Sequence, residues 1–258
     1  MNISASSGTP NNTSEALSTL QRIQSMRLQY EGRIREIRTN RIQEQFPDDG
    51  PFRREGYKKH LEFFRAGRDH TERCFMAGNR VGKTRAGACE MTYHLTGRYP
   101  HWWEGRRFHQ PIDAWVAGSK IQTVRDIVQA ELLGKLAPDK DTKPEDPIGL
   151  GTGMIPADCI RKTRPRAGGV SDAVELAYIR HVSGGTSTLG FKAYEQGRKS
   201  FEGTGKQCIW VDEECPYDVY IECLARLMTT KGIIWLTFTP LQGLTDVVLR
   251  FLPAGRLD

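Results

Sequence analysis

The chain has 258 residues, room for one large domain or two small ones, and 38% of them are hydrophobic, an ordinary share for a globular protein. Its apolar runs are too short to span a bilayer, and the polar opening "MNISASSGTPNNTSEAL" lacks the apolar core of a secretory signal. Lys and Arg outnumber Asp and Glu by 37 to 31, an excess that permits a polyanionic partner without requiring one.

Residues 1–13 read as a disordered leader. From Ser14 to about Gln45 the pattern predicts a long, Arg-rich helix. Ser14 is a capping residue, Ala16, Ile23, Tyr30 and Ile37 recur every seven residues, and Leu20 and Ile34 join them on one side. "PDDGP" stops this arm, since two prolines and a glycine cannot continue a helix. "REGYKKHLEFFRAG" predicts a short helix with Tyr57, Leu61 and Phe64 on one face. "RCFMAG" then reads as a buried strand and "TRAGACEMTYHLTG" as a helix ending at Gly97. "IDAWVAG" is a second strand, followed by the helix "KIQTVRDIVQAELLGKL". This alternation of strand and helix predicts a mostly parallel sheet with helices on both faces.

Residues 138–171, rich in Pro, Gly and charge, read as an extended insertion. "ELAYIRHV" and "TSTLGFKAY" form a strand pair around "SGG". "KQCIWVDEE" is a strand ending in carboxylates, and "GIIWLTFTP" is a further buried strand. Six cysteines without a C-x-x-C pair read as buried thiols of a reducing compartment. The six histidines have no metal-binding spacing.

The chemistry is concentrated in three places. In "AGNRVGKT" the residues Gly82, Lys83 and Thr84 fit the end of a phosphate-binding loop between a strand and a helix. Such a loop turns backbone N–H groups toward an anion, sends a lysine to the outer phosphates and offers a hydroxyl to magnesium. Ala77 replaces the usual first glycine, and Arg80 sits inside the loop. At the end of "CIWVDEE", Asp212 and Glu213 supply one carboxylate for a metal shell and one to orient and deprotonate water. In "LTFTP", Thr237 and Thr239 bring hydroxyls to the carboxyl edge of the sheet, where they can sense a terminal phosphate.

Taken together, "AGNRVGKT", "FEGTGKQCIWVDEE" and "TFTPLQGLTDVV", with "REGYKKHLEFFRAG" and "RYPHWW" flanking the loop, resemble the ATPase domain of the large terminase subunit of tailed bacteriophages, over residues 50–252. The resemblance implies a RecA-like P-loop ATPase fold of the additional-strand catalytic-glutamate type. It has a mostly parallel central sheet flanked by helices, an N-terminal helical arm over 14–50 and the ATPase domain over 51–258. It implies a motor that hydrolyses ATP with Mg2+ to drive double-stranded DNA into a procapsid. Its partners would be the portal protein and the small terminase subunit, with self-association into a ring on the portal and no membrane. Its place would be the host cytoplasm and, transiently, the procapsid portal vertex.

Carried over by position, Gly78, Asn79, Arg80, Val81, Gly82, Lys83 and Thr84 hold the phosphates. Thr84 and Asp212 hold the metal, Glu213 activates water with Lys83 and Arg80 assisting, and Thr237, Phe238 and Thr239 couple hydrolysis to movement. The family's adenine segment carries a glutamine ahead of the loop, which "REGYKKHLEFF" lacks, leaving Tyr57 and Arg53 as the candidates for the base. Arg80, always charged, suits charge building on the transferred phosphoryl group, and a structural ion pair is its alternative. Arg226 is a second candidate for that role. The basic run "RKTRPR" (161–166) suits contact with a DNA backbone, while Trp102 and Trp103 read as packing residues. The nuclease that accompanies this ATPase in the family is not expected here. The rival readings are a superfamily 2 helicase-like translocase fragment, which needs a second RecA-like domain, and a non-catalytic nucleotide-dependent binding module, which needs no water-activating carboxylate.

Overall fold

A computed structural model of the chain describes residues 11–138, 142 and 148–252, apart from the side chains at 11–16, 33 and 35–38. The chain divides into two units, residues 1–38 and 39–258. The described part of the first is the helix α1 (Asn11–Thr39), which leaves Leu17, Leu20, Ile23, Leu28, Tyr30 and Ile34 exposed. It stops short of the expected Gln45. Asn40 leaves helical geometry at φ −140° and the chain continues as a 3-10 turn, Arg41–Glu44; asparagine competes for local backbone hydrogen bonds and so favours such breaks. Most of the expected leader lies outside the described residues, and Asn11–Thr13 open α1.

The second unit is built on one seven-stranded sheet in the order β1-β7-β6-β2-β5-β4-β3. β1 (Glu72–Met76), β7 (Ile233–Phe238), β6 (Cys208–Asp212), β2 (Asp113–Gly118) and β5 (Thr186–Ala193) run parallel. β4 (Val174–Arg180) and β3 (Ile160–Pro165) turn antiparallel at the far edge. β7 lies between the strand that enters the phosphate loop and the strand that ends in carboxylates. This is the additional strand of the RecA-like P-loop arrangement.

Successive side chains of a strand face opposite ways, and both faces of the central strands are covered. Trp210 and Trp235 enter one core with Ala86, Cys89 and Met91 of α3 (Lys83–Thr96). Ile209, Val211, Ile234 and Leu236 enter the other with Tyr220 and Cys223 of α6 (Tyr217–Met228). This double burial explains why these strands read as continuous apolar runs without polar alternation. Gly87 sets how closely α3 lies on the sheet: a Cβ there would come within 2.4 Å of the Trp210 ring.

The predicted helix after β2 is three pieces, α4 (Ile121–Thr123), a π-helical stretch (Val124–Gln129) and α5 (Ala130–Leu133). The short helix before β1 is α2 (Lys58–Ala66), and α7 (Asp246–Phe251) follows β7. Residues 161–165 of the basic run lie in the edge strand β3, and Arg166 follows it. The strand's charges are partly engaged: Arg164 with Glu175 at 3.1 Å, Lys162 over the Tyr178 ring, and Arg161 on the Gly184 carbonyl. Trp103 is buried and donates to the Arg106 carbonyl, while Trp102 packs on Phe46 and Phe64. Five cysteines are buried and Cys74 is half-buried, all as free thiols. No described helix is long and apolar enough to cross a membrane.

α3 is tied to β1 by a buried ion pair. The Arg73 guanidinium meets Glu90 at 2.6 and 3.2 Å and also donates to the Phe63 carbonyl, and Glu90 bonds His94 at 3.2 Å. Arg73 keeps the Glu90 carboxyl ionised against its burial, and burial holds His94 below the usual imidazole range. The strand and helix that bracket the phosphate loop are thus clamped together in a site shut off from solvent.

Candidate active site

The loop between β1 and α3 has two residues in the left-handed region, Arg80 at φ 64° and Gly82 at φ 85°. Ala77 is not one of them, so its methyl group meets no backbone demand for glycine. Positive-φ residues alternating with ordinary ones turn successive N–H groups toward one centre. Gly82 caps α3 with no side-chain hydrogen bond, which leaves the first N–H groups of the helix open to an anion. His60 closes the outer side of the loop. Its Nε2 lies 3.1 Å from the Val81 carbonyl, so the proton sits on that nitrogen, and burial keeps the ring below its usual range.

Lys83 folds back into this loop. Its Nζ donates to the carbonyls of Ala77 (2.9 Å) and Gly78 (2.5 Å) and to Thr239 Oγ1 (3.0 Å). The same hydroxyl lies 2.9 Å from the Ala77 carbonyl and 2.8 Å from Asn79 Oδ1. Thr239, from the end of β7, therefore joins the lysine and the loop in one network.

The second network surrounds Asp212, which is buried. Thr84 Oγ1 donates to its carboxylate at 3.1 Å and Thr237 Oγ1 at 2.7 Å, while Trp210 Nε1 donates to Thr237 Oγ1 at 2.7 Å. Burial outweighs these donors and lifts the Asp212 pKa to about 6, with the Glu213 charge adding to the rise. Among the described residues no group of three His, Cys, Asp or Glu side chains converges on a metal position. One buried carboxylate beside one hydroxyl nevertheless fits Mg2+, which takes one or two protein oxygens and completes its shell with water and phosphate. A cation there would relieve the desolvated charge on Asp212.

Glu213 turns out of the strand at φ 69°, a conformation that costs a non-glycine residue about 1–3 kcal/mol. Its N–H donates to the Thr237 carbonyl at 3.0 Å and its carboxylate is exposed. Asn79, Arg80, Gly82, Lys83, Thr84, Asp212, Glu213, Thr237, Phe238 and Thr239 line one cavity of about 570 Å³. Residues from three separate stretches of sequence thus face a common space, with hydrogen-bond donors on one wall and carboxylates on the other.

The family model for the terminase large subunit, T4likevirus-type, N-terminal, matches residues 74–255. The chain belongs to this family. It is 37% identical over 213 residues to the terminase large subunit of Salmonella phage P22, a match covering 76% of this chain and 41% of that protein. The chain thus spans about two fifths of the length of that curated relative. Among solved structures it is similar to the large terminase of a thermophilic bacteriophage in complex with ADP, at 16% identity and a TM-score of 0.45, covering 70% of this chain and 37% of that one. A second crystal form of the same phage protein gives a TM-score of 0.44 over the same shares.

Within this terminase chain, a second cavity of about 570 Å³ lies against the outer face of the loop. Arg80, Val81 and Gly82 line it together with Gln45, Phe46, Phe52, Tyr57 and His60. Tyr57 is thus placed beside the loop. Arg53 pairs with Glu55 at 3.5 Å and is not among the lining residues. Gln45 lies upstream of "PDDGP", ahead of "REGYKKHLEFF", the stretch in which the resemblance led one to look for a glutamine. Its side-chain nitrogen donates to the Arg41 carbonyl. Arg226 does not line the phosphate cavity either: it pairs with Glu222 at 2.9 Å and caps the Gly203 carbonyl. Arg80 is exposed and forms no ion pair among the described residues. Asn79's bond to Thr239 and the Tyr194 hydroxyl behind Asp212 were beyond the reach of local patterns, because their partners are 160 and 18 residues away.

Proposed function

We propose that this chain is the ATPase motor portion of a phage DNA-packaging terminase, hydrolysing ATP to drive double-stranded DNA into a procapsid. The observation that carries the reading is the convergence of Lys83 and Thr84, Asp212 and Glu213, and Thr237 and Thr239 on one cavity. In this reading the loop N–H groups and the start of α3 bind the phosphates. Lys83 leaves the Ala77 and Gly78 carbonyls for the outer phosphate oxygens, where its charge has more value. Thr84 and Asp212 hold Mg2+, which when bound neutralises phosphate charge. Glu213, exposed and anchored through its backbone, accepts a proton from the attacking water. Arg80 stabilises charge building on the transferred group. Thr239 loses its lysine partner when a nucleotide enters, so the β7 end and the segment leading to α7 sense occupancy.

The cavity lined by Gln45, Phe46, Tyr57 and His60 suits adenine, which pairs a flat apolar face with hydrogen-bonding edges. The unit that begins at residue 39 is the ATPase domain and the helix before it the arm, so the boundary falls earlier than the expected 50/51. The portal protein and small terminase subunit are the partners, a ring on the portal is the working form, and the procapsid vertex in the host cytoplasm is the place of work. The exposed arginines of β3 suit a DNA backbone, which a motor must grip at any sequence.

The test is ATP turnover with and without linear double-stranded DNA. Turnover that rises with DNA and is abolished by Glu213→Gln, with ATP binding retained, is the expected result. ATP binding without measurable turnover at any DNA concentration would replace the motor with a nucleotide-dependent binding module.

A further inference from the structure

One buried hydroxyl touches the turn that presents the carboxylate assigned above to water activation. Tyr194 follows β5, and its Oη lies 2.9 Å from the Asp212 carbonyl, 3.2 Å from the Glu213 carbonyl and 3.2 Å from the Ala117 carbonyl. Three main-chain acceptors, from the ends of two parallel strands and the turn between sheet and cavity, share a single proton. The side chain is buried in the second core, with its ring against Phe201. The chain on either side is fixed as well. The Glu195 N–H donates to the Ser119 carbonyl, and its carboxylate accepts the Ile121 N–H at 2.7 Å. Burial holds the phenol far above its usual range, so it is always a donor.

Glu213 needs such a donor. A non-glycine residue stays in the left-handed region only where its surroundings hold it there. Its peptide N–H is held by the Thr237 carbonyl from β7, and the Tyr194 hydroxyl is the contact on its carbonyl side. Without the second anchor the residue can relax toward extended backbone, which redirects its side chain without disturbing the phosphate loop.

We propose that Tyr194 is a positioning residue for the reaction: its hydroxyl pins the Asp212–Glu213 turn and thereby aims the Glu213 carboxylate at the attacking water. This rests on the function proposed above and adds to it a group that touches neither substrate nor metal.

Tyr194→Phe removes only the oxygen and leaves the ring in place. The expected result is a fall in kcat of tenfold or more, with the KM for ATP and the affinity for a fluorescent ATP analogue within twofold of wild type. Phe201→Leu serves as the packing control, since it loosens the same core without touching the hydroxyl; it should lower the thermal midpoint while kcat stays near wild type. A Tyr194→Phe protein with kcat within twofold of wild type would overturn the inference alone. So would a loss of kcat in Phe201→Leu equal to that in Tyr194→Phe, because packing would then explain both. A wild-type chain that binds ATP but never turns it over would overturn the proposed function, and the inference with it.

Discussion

Replacing Thr237 by Val keeps the shape of a buried β-branched side chain and deletes one oxygen. That oxygen receives the Trp210 indole N–H at 2.7 Å and donates to Asp212 Oδ1 at 2.7 Å, in a site closed to solvent. Two losses follow. The indole N–H becomes a buried donor without an acceptor, at about 1–3 kcal/mol, and a hydrogen bond to a carboxylate disappears, at about 1.5–3 kcal/mol. The two overlap, so the sum is about 2–4 kcal/mol, which for a domain of this size lowers the thermal midpoint by roughly 5–15 °C. The Asp212 carboxyl would also move further above about 6, since the Thr237 bond is the largest effect opposing its burial. The variant should therefore need more Mg2+ than wild type for half-maximal ATP turnover. Thermal unfolding followed by tryptophan fluorescence measures the first effect and a magnesium titration of turnover the second. Thr237→Ser, which restores the hydroxyl, should recover most of both. A midpoint within about 2 °C of wild type for Thr237→Val would refute the reasoning, because neither Trp210 nor Asp212 would then depend on this hydroxyl.

Asp212 also gives a pH signature. Its folded-state pKa near 6 stands above the ordinary 3.8, so between those values the folded chain keeps a proton that the unfolded chain has released. Its contribution to the stability of nucleotide-free protein is thus fully present below about pH 4, falls as pH rises to about 6 and is flat above. Urea titrations of wild type and Asp212→Asn should show the variant gaining on wild type by about 3 kcal/mol across that window, and a pH-independent difference would contradict it. Gly87→Ala puts a methyl group 2.4 Å from the Trp210 ring, so α3 must lift from the sheet. A destabilisation of about 1–3 kcal/mol or more is expected in denaturant unfolding, and a neutral result would mean that the indole moves aside freely. Arg80→Ala should lower kcat at least tenfold with an unchanged thermal midpoint, since the exposed guanidinium supports nothing else in the described fold; full turnover in that variant would rule out its action on the phosphoryl group.

Much of the candidate site is written locally in the chain. Gly82, Lys83 and Thr84 sit in one turn and the start of one helix, so a contiguous spacing is enough to place them. The same holds for Asp212 and Glu213 at the end of an apolar strand, and for the helix ending at Gly97. The heptad over Ser14–Gln45 announced α1 correctly in kind, but a single residue's competition for hydrogen bonds at Asn40 moved its end, and periodicity does not register that.

Other features depend on strand order. Thr237 reaches Asp212, and Thr239 reaches Lys83, only because β7 inserts between β1 and β6. In an unordered list of strands, two threonines in "TFTP" are ordinary sheet formers. The Arg73–Glu90 clamp, the Tyr194 hydroxyl under the Asp212–Glu213 turn and the Gln45 wall of the outer cavity join residues that nothing local connects. Charge told least: "RKTRPR" gives no sign of which arginines pair with Glu175 and which face water, since that follows from the antiparallel register of β3 on β4. The sequence by itself determined which chemical groups this chain carries and the local turns that present them, because those turns are short-range. Only the tertiary structure decided which groups meet, because each meeting in the site depends on packing two sheet faces and fixing a strand order over separations of up to 162 residues.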